Sequence, residues 1–298
     1  MDLRISEARA RALAKALSSV GLERVMRLED LLDPQLAAAS EVARRWGAGT
    51  GALCAALTAL ISYRLAMRGE EWWACYRDFF SAHECPGDPR GAVDAVSEFA
   101  SSCRGAMVAR DAKLRRLRRA LGAAEVLREL SEGPERVLLE GYGPFLASLA
   151  RALGQGPDDK TIVFSLKMAY YACRGSRCPG AALPMDVPLP VDLRVSCVSY
   201  SSGLLDVPPG HDPVAAIMSR PEVARAAWSE VARGSGIPPL HIDTLIWLSG
   251  RWIREAGVEE ARRSVAAALG PILGRELSSS LAAELAWRPC GGKGHGGP

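Results

Sequence analysis

Apolar residues recur along this chain at intervals of three and four, and that period predicts helices almost throughout. Leu13, Leu17 and Val20 form the first such stripe, behind Ser6 as a candidate N-cap. Asp33-Pro34 reads as a cap followed by a first helical residue and opens a helix reaching about Trp46. A break over 47–51 follows, then a helix over 53–65 that is apolar all round and so predicted to be buried. Residues 70–80 put Trp73, Tyr76 and Phe80 on one stripe. Pro86-Gly87-Asp88-Pro89 is a turn. Helices are expected over 94–103, 108–121, 134–141 and 143–153. Gly154-Gln155-Gly156-Pro157 makes a tight hairpin, and the helical pattern resumes from Lys160 to Cys173. The proline-rich stretch 178–190 is extended. Asp192 starts the next helix, to about Ser201, and helices over 221–233, 238–256 and 258–273 complete the set. No period-two run argues for a strand and no internal repeat is present, so the fold class is all-α. The glycine-rich tail 291–298 is expected to be disordered.

Composition narrows the class. The 298 residues suffice for one large domain or two lobes, and 48% hydrophobic with 24% charged residues is ordinary for a globular protein. A net charge of +3 permits a local basic face without making the whole protein basic, so nucleic acid is allowed as a partner but not demanded. No run reaches transmembrane length and the N-terminus leads straight into an amphipathic pattern, which points to the cytoplasm. Eight cysteines occur with no CxxC pair and no zinc-finger spacing. They read as reduced thiols, with intracellular disulfides of the hyperthermophile kind as the alternative. No metal or other cofactor is expected. Aromatic residues are few, yet seven are Trp, which suggests a stacking surface. Lys113-Leu114-Arg115-Arg116-Leu117-Arg118-Arg119 is the densest basic run. Leu114, Leu117 and Leu121 are expected to face inward and the basic residues outward. A solvated helix face and a phosphate-contacting face both fit that pattern.

Two residues carry candidate chemistry. The segment 145–173 reads helix, glycine hairpin, helix, a layout whose second helix aims backbone amides at a phosphate. Lys160 opens that second helix. A helix N-terminus disfavours an ammonium ion, and desolvation lowers its pKa further, so the neutral amine of a nucleophile is favoured there. A solvent-exposed lysine beside an Asp158 or Asp159 cap is the plain alternative. Asp192 stands where an N-cap should, and amide hydrogen bonds would keep it ionised. A carboxylate of this kind steadies an oxocarbenium-like charge, a role compatible with simple capping.

Val191-Asp192-Leu193-Arg194-Val195 resembles the catalytic-aspartate signature of the helix-hairpin-helix DNA glycosylases, with Arg194 where a histidine usually stands. Five segments, 59–65, 69–73, 160–167, 183–192 and 236–248, are similar to one branch, the archaeal GO glycosylases. These are 8-oxoguanine DNA glycosylases with AP lyase activity. Residues 85–142 resemble the family only loosely. The resemblance implies Lys160 as the Schiff-base nucleophile and Asp192 as its partner. It implies a base pocket from Gln35, Ser62, Trp73, Phe164, Lys167, Asp243 and Trp247. Their chemistry suits an oxidised guanine: amide, hydroxyl, carboxylate and indole groups for hydrogen bonds, and Phe164 and Trp247 for stacking on an extruded base. The implied fold has two helical lobes, 50–175 and 1–49 with 185–290, and the active site in the cleft between them. The implied partner is DNA containing 8-oxoguanine, met by a monomer in the cytoplasm and nucleoid. A glycosylase for another damaged or mismatched base, and a non-catalytic DNA-binding module, are the alternatives.

Overall fold

The computed structural model describes residues 2–178 and 180–290, so the glycine-rich tail 291–298 lies outside the described residues. The described residues are almost wholly helical and fall into two compact units. One, the mid-chain unit, is Asp33–Leu183. The other, the terminal unit, combines the residues up to Leu32 with those from Pro184 on.

The mid-chain unit holds α3 (Pro34–Trp46), α4 (Ala48–Leu60), α5 (Gly69–Ala82), α6 (Pro89–Ser102), α7 (Arg110–Ala120), α8 (Ala124–Glu132), α9 (Pro134–Leu139), α10 (Tyr142–Leu153) and α11 (Lys160–Arg174). Its axis is α4, buried at every residue from Gly51 to Leu60 and packed against α3, α6, α8 and α11. The break anticipated over 47–51 is a one-residue corner: Gly47, at φ 101°, ends α3, and α4 begins at Ala48. Gly51 allows close approach, since a Cβ there would sit 2.6 Å from the Cα of Ala43. The apolar helix is therefore displaced from the expected 53–65 and stops at Leu60. Because α3 packs on α4, α5 and α11, the division between units falls after residue 32 rather than at 49.

On α7 the buried stripe is Lys113, Leu117 and Ala120, not Leu114, Leu117 and Leu121. The Lys113 side chain is fully buried, its Nζ donating to the Arg64 carbonyl at 3.3 Å and lying 5.4 Å from the Tyr63 ring centroid. Burial pushes its pKa down. A long lysine stem packs like an apolar chain, which a count of charged residues does not show.

The terminal unit holds α1 (Glu7–Val20), α2 (Leu22–Leu32), α12 (Leu193–Ser201), α13 (Pro213–Met218), α14 (Pro221–Ser235), α15 (Pro239–Glu255), α16 (Val258–Leu273) and α17 (Arg275–Leu285). Ser6 caps α1 as expected, accepting from the Arg9 amide. The pairings α1 with α14, α12 with α15 and α16 with α17 enclose a core built on Leu13, Leu17, Val195, Val198, Trp228, Ile242 and Leu281. Contrary to the expectation of no strands, β1 (Arg4–Ile5) and β2 (Leu205–Asp206) pair antiparallel; two residues are too few to show alternation. Helices α2, α8, α13 and α17 were also not anticipated. In α17 the run Ser278-Ser279-Ser280 weakens the helical signal, yet Ser278, Leu281, Ala282 and Leu285 form a buried i, i+3, i+4, i+7 face.

The cysteines depart from the reduced reading. Cys54–Cys85, Cys173–Cys178 and Cys197–Cys290 are disulfides, each within one unit, and Cys75 and Cys103 remain as thiols. Among the described residues no helix is long and apolar enough to cross a membrane, and no cluster of His, Cys, Asp or Glu has the arrangement of a metal site.

Candidate active site

Lys160 is the first residue of α11, half-buried, directly after the hairpin. Gly154 takes the left-handed conformation, φ 64°, ψ 44°, that turns the chain out of α10. Asp159 holds the N-cap position, but its carboxylate turns back to accept from the Gly156 amide at 3.1 Å and makes no cap bond to the helix. The first turn of α11 is thus left without a side-chain cap, and its amide dipoles act on whatever lies at this end.

Deeper along α11, Phe164 meets Trp73 edge-on, with centroids 6.1 Å apart. Lys167 is 1% exposed, and its Nζ stands 5.3 Å from the Tyr171 ring centroid. The Tyr171 hydroxyl donates to Asp33 Oδ2 at 2.9 Å, and Asp33 Oδ1 accepts from the Gln35 amide at 2.9 Å. Asp33 therefore joins the start of α3 to α11. Gln35 is buried, 3% exposed. Ser62 is already engaged: its hydroxyl donates to the Thr58 carbonyl at 2.9 Å and accepts from Trp72 Nε1 at 2.8 Å.

In the terminal unit, Asp192 is the N-cap of α12. Its Oδ1 accepts from the amides of Arg194 at 2.8 Å and Val195 at 2.9 Å. Arg194 reaches from this cap to α15: its NH1 donates to the Trp247 carbonyl at 3.1 Å and its guanidinium lies 4.5 Å from the Trp247 ring centroid. Gly250 makes room for it, since a Cβ there would stand 3.1 Å from Arg194 Cβ. Asp243, one turn before Trp247 on α15, is 6% exposed. His241 is buried, and its Nδ1 lies 2.9 and 3.0 Å from the two oxygens of buried Glu29, which also accepts from the Thr244 hydroxyl.

The sequence model of the AGOG N-glycosylase/DNA lyase family matches residues 14–280. The chain belongs to this family. An N-glycosylase/DNA lyase of Aeropyrum pernix is 46% identical over 295 residues, covering 98% of this chain and 100% of that protein. One from Pyrobaculum aerophilum is 35% identical over 246 residues, or 83% and 88% of the two chains. The crystal structure of the Pyrobaculum aerophilum 8-oxoguanine DNA glycosylase Pa-AGOG, in complex with 8-oxoguanosine, superposes with a TM-score of 0.74 at 31% identity, covering 95% of this chain and 98% of that one.

As a member of the N-glycosylase/DNA lyase family, the chain distributes its expected site residues over both units. Gln35, Ser62, Trp73, Lys160, Phe164 and Lys167 belong to the mid-chain unit; Asp192, Asp243 and Trp247 belong to the terminal unit. Within the units, contacts join Trp73 to Phe164, and the Asp33–Tyr171 hydrogen bond links the chain beside Gln35 to the helix of Lys167. The sequence reading treated Asp33 only as a cap and passed over Tyr171. Asp at an N-cap carries no sign of a second bond, and Tyr171 looks like one more apolar position on α11. Arg194 was noted only as a departure from histidine; its stacking on a residue 53 positions away has no local signal.

Proposed function

We propose that this enzyme excises 8-oxoguanine from DNA through an imine on Lys160 and then nicks the strand. The observation that carries the reading is the family membership together with the likeness to a glycosylase solved with 8-oxoguanosine. The reaction runs in two stages. The lone pair of Lys160 Nζ attacks C1′ of the lesion nucleotide, the C1′–N9 bond breaks, and its electron pair leaves with the base, which takes up a proton. Asp192 stabilises the positive charge that develops at C1′ as that bond weakens. The sugar ring opens to a protonated imine between Nζ and C1′. Loss of a C2′ proton then expels the 3′ phosphate by β-elimination, and hydrolysis of the imine returns the amine.

The base reading is assigned to Gln35, Trp73, Phe164, Lys167, Asp243 and Trp247. 8-Oxoguanine differs from guanine in carrying a hydrogen on N7 and an oxygen on C8. A carboxamide such as Gln35 offers both an acceptor and a donor for such edges, and Asp243 offers acceptors. Trp247, backed by Arg194, is a stacking face, worth about 1–3 kcal/mol per base. Ser62, with its hydroxyl committed to Thr58 and Trp72, serves this set by fixing Trp72 beside Trp73. The protein acts as a monomer in this reading.

The test is a panel of duplexes carrying 8-oxoguanine, an alkylated purine, uracil or a mismatch, with released base measured by chromatography under single-turnover conditions. The proposal expects 8-oxoguanine to be released fastest. Faster release of another base makes this a glycosylase of different specificity, and DNA binding with no base released makes it a non-catalytic module.

A further inference from the structure

Beside the hairpin, α7 and the turn after α4 enclose a cavity of about 330 Å³ lined by Tyr63, Ala112, Arg115, Arg116, Arg119 and Leu153. Three guanidinium groups share this one space. No carboxylate among the described residues forms a salt bridge with any of them. Arg116 is the deepest: its NH2 donates to Gln155 Oε1 and, at 2.6 Å, to Thr161 Oγ1, both neutral groups, while its buried Nε has no partner among the described residues. Its guanidinium stands 5.9 Å from the Tyr63 ring centroid. Burial pushes its pKa down, Arg119 adds to that, and Asp159 partly offsets it. Arg115 and Arg119 are exposed at the mouth, and Arg119 NH2 lies so close to Gly154 that a Cβ there would be 3.1 Å away.

Like charges gathered round a cavity with no salt-bridged carboxylate among the described residues cost free energy, and burial of one of them raises that cost. An anion with several oxygen acceptors removes it. Arginine forks match phosphate oxygens in pairs, and a phosphodiester carries the one negative charge that such a site lacks. Tyr63 supplies a ring against which the neighbouring sugar or base can rest.

We propose that this cavity holds one phosphodiester of the bound DNA strand, gripped by Arg115 and Arg119 at its mouth and Arg116 at its base. The inference rests on the reading of the chain as a DNA-acting enzyme. It adds a backbone contact that neither the hairpin amides nor the base pocket provides. Because Arg116 holds Gln155 in the hairpin and Thr161 next to Lys160, a phosphate seated here also bears on the turn that carries the nucleophile.

The experiment is the salt dependence of affinity for an uncleavable duplex containing a tetrahydrofuran abasic analogue, read by fluorescence anisotropy. One lost phosphate contact makes the plot of log affinity against log salt shallower by about 0.9, so that from about 50 to about 200 mM salt the wild type loses about 3.5-fold more affinity than the variant. Arg115→Gln with Arg119→Gln is expected to show this change, and Arg115→Lys with Arg119→Lys to keep the wild-type slope. Both positions are exposed, and unchanged circular dichroism and melting confirm folding. A charge-matched control, Lys15→Gln with Arg275→Gln, is expected to leave the slope alone. An unchanged slope in the first variant, or an equal change in the control, overturns the proposal. So does inorganic phosphate, at constant ionic strength, binding the wild type but not the variant while the DNA slope stays the same, since the cavity would then serve free phosphate. Borohydride trapping of the wild-type enzyme on lesion DNA, run alongside, reports on the catalytic reading separately.

Discussion

Replacing Asp192 separates its capping of α12 from the electrostatic role proposed for its carboxylate. As N-cap of α12, Oδ1 accepts two amide hydrogen bonds, from Arg194 and Val195. Asparagine caps nearly as well as aspartate, because its carbonyl oxygen can take the place of Oδ1. Alanine removes the acceptor and costs about 1 kcal/mol, or about 1–2 °C in Tm for a chain of this size. The charge carries the proposed electrostatic role. A carboxylate at about 4 Å from a developing positive charge, at the effective dielectric of about 20 suited to a half-buried group, stabilises it by about 4 kcal/mol. Losing it slows base release by roughly 10²- to 10³-fold. Asp192→Asn is therefore expected to melt within a degree or so of the wild type, bind DNA, and release 8-oxoguanine two to three orders of magnitude more slowly in single turnover. Asp192→Ala is expected to be as slow and measurably less stable. Asp192→Asn turning over within about threefold of the wild type would refute the electrostatic role and leave Asp192 a cap alone.

Two further outcomes follow from buried groups. Tyr76 is fully buried and its hydroxyl has no hydrogen-bond partner among the described residues, so Tyr76→Phe is expected to raise stability by about 1 kcal/mol in denaturant unfolding; a clear loss would mean the hydroxyl is satisfied. Alkylation under denaturing, non-reducing conditions is expected to label only Cys75 and Cys103, by mass spectrometry, with label on the other six appearing after reduction. The Cys197–Cys290 bridge closes a loop of 93 residues, a constraint on the unfolded chain worth about 4–5 kcal/mol, so reduction should lower Tm; equal melting with and without reductant contradicts it.

The elements that sequence periodicity located are those whose capping chemistry and buried stripe lie together in the chain. Ser6, Asp33-Pro34 and Asp192 each announced a helix start, and all three accept the expected amide bonds. The hairpin before Lys160 was legible from its glycines. What escaped depends on distant partners. Lys113 looked like part of an outward basic face because nothing local shows that Arg64 and Tyr63 receive it. The disulfides escaped because cysteine spacing does not specify pairing; Cys197 and Cys290 meet only once α12 and the end of α17 are folded. The division between the units was expected at 49 because 47–51 reads as a break, whereas Gly47 is a corner within one packed unit that begins at Asp33. In the site, Lys160 and Asp192 were legible from their helix-start positions, the base-pocket residues came from the resemblance to a known family, and the linkage of Gln35 to α11 through Asp33 and Tyr171 came only from the folded structure.

The account depends most on the identity of the nucleophile. Sodium borohydride added during reaction with an 8-oxoguanine duplex reduces the imine to a stable amine and fixes the enzyme to DNA, visible as a slow-migrating band whose attachment site is read by peptide mass spectrometry. The account predicts a wild-type adduct on Lys160 and none with Lys160→Gln, which still binds DNA. An adduct that persists in Lys160→Gln, or base release by the wild type with no trappable adduct, contradicts it.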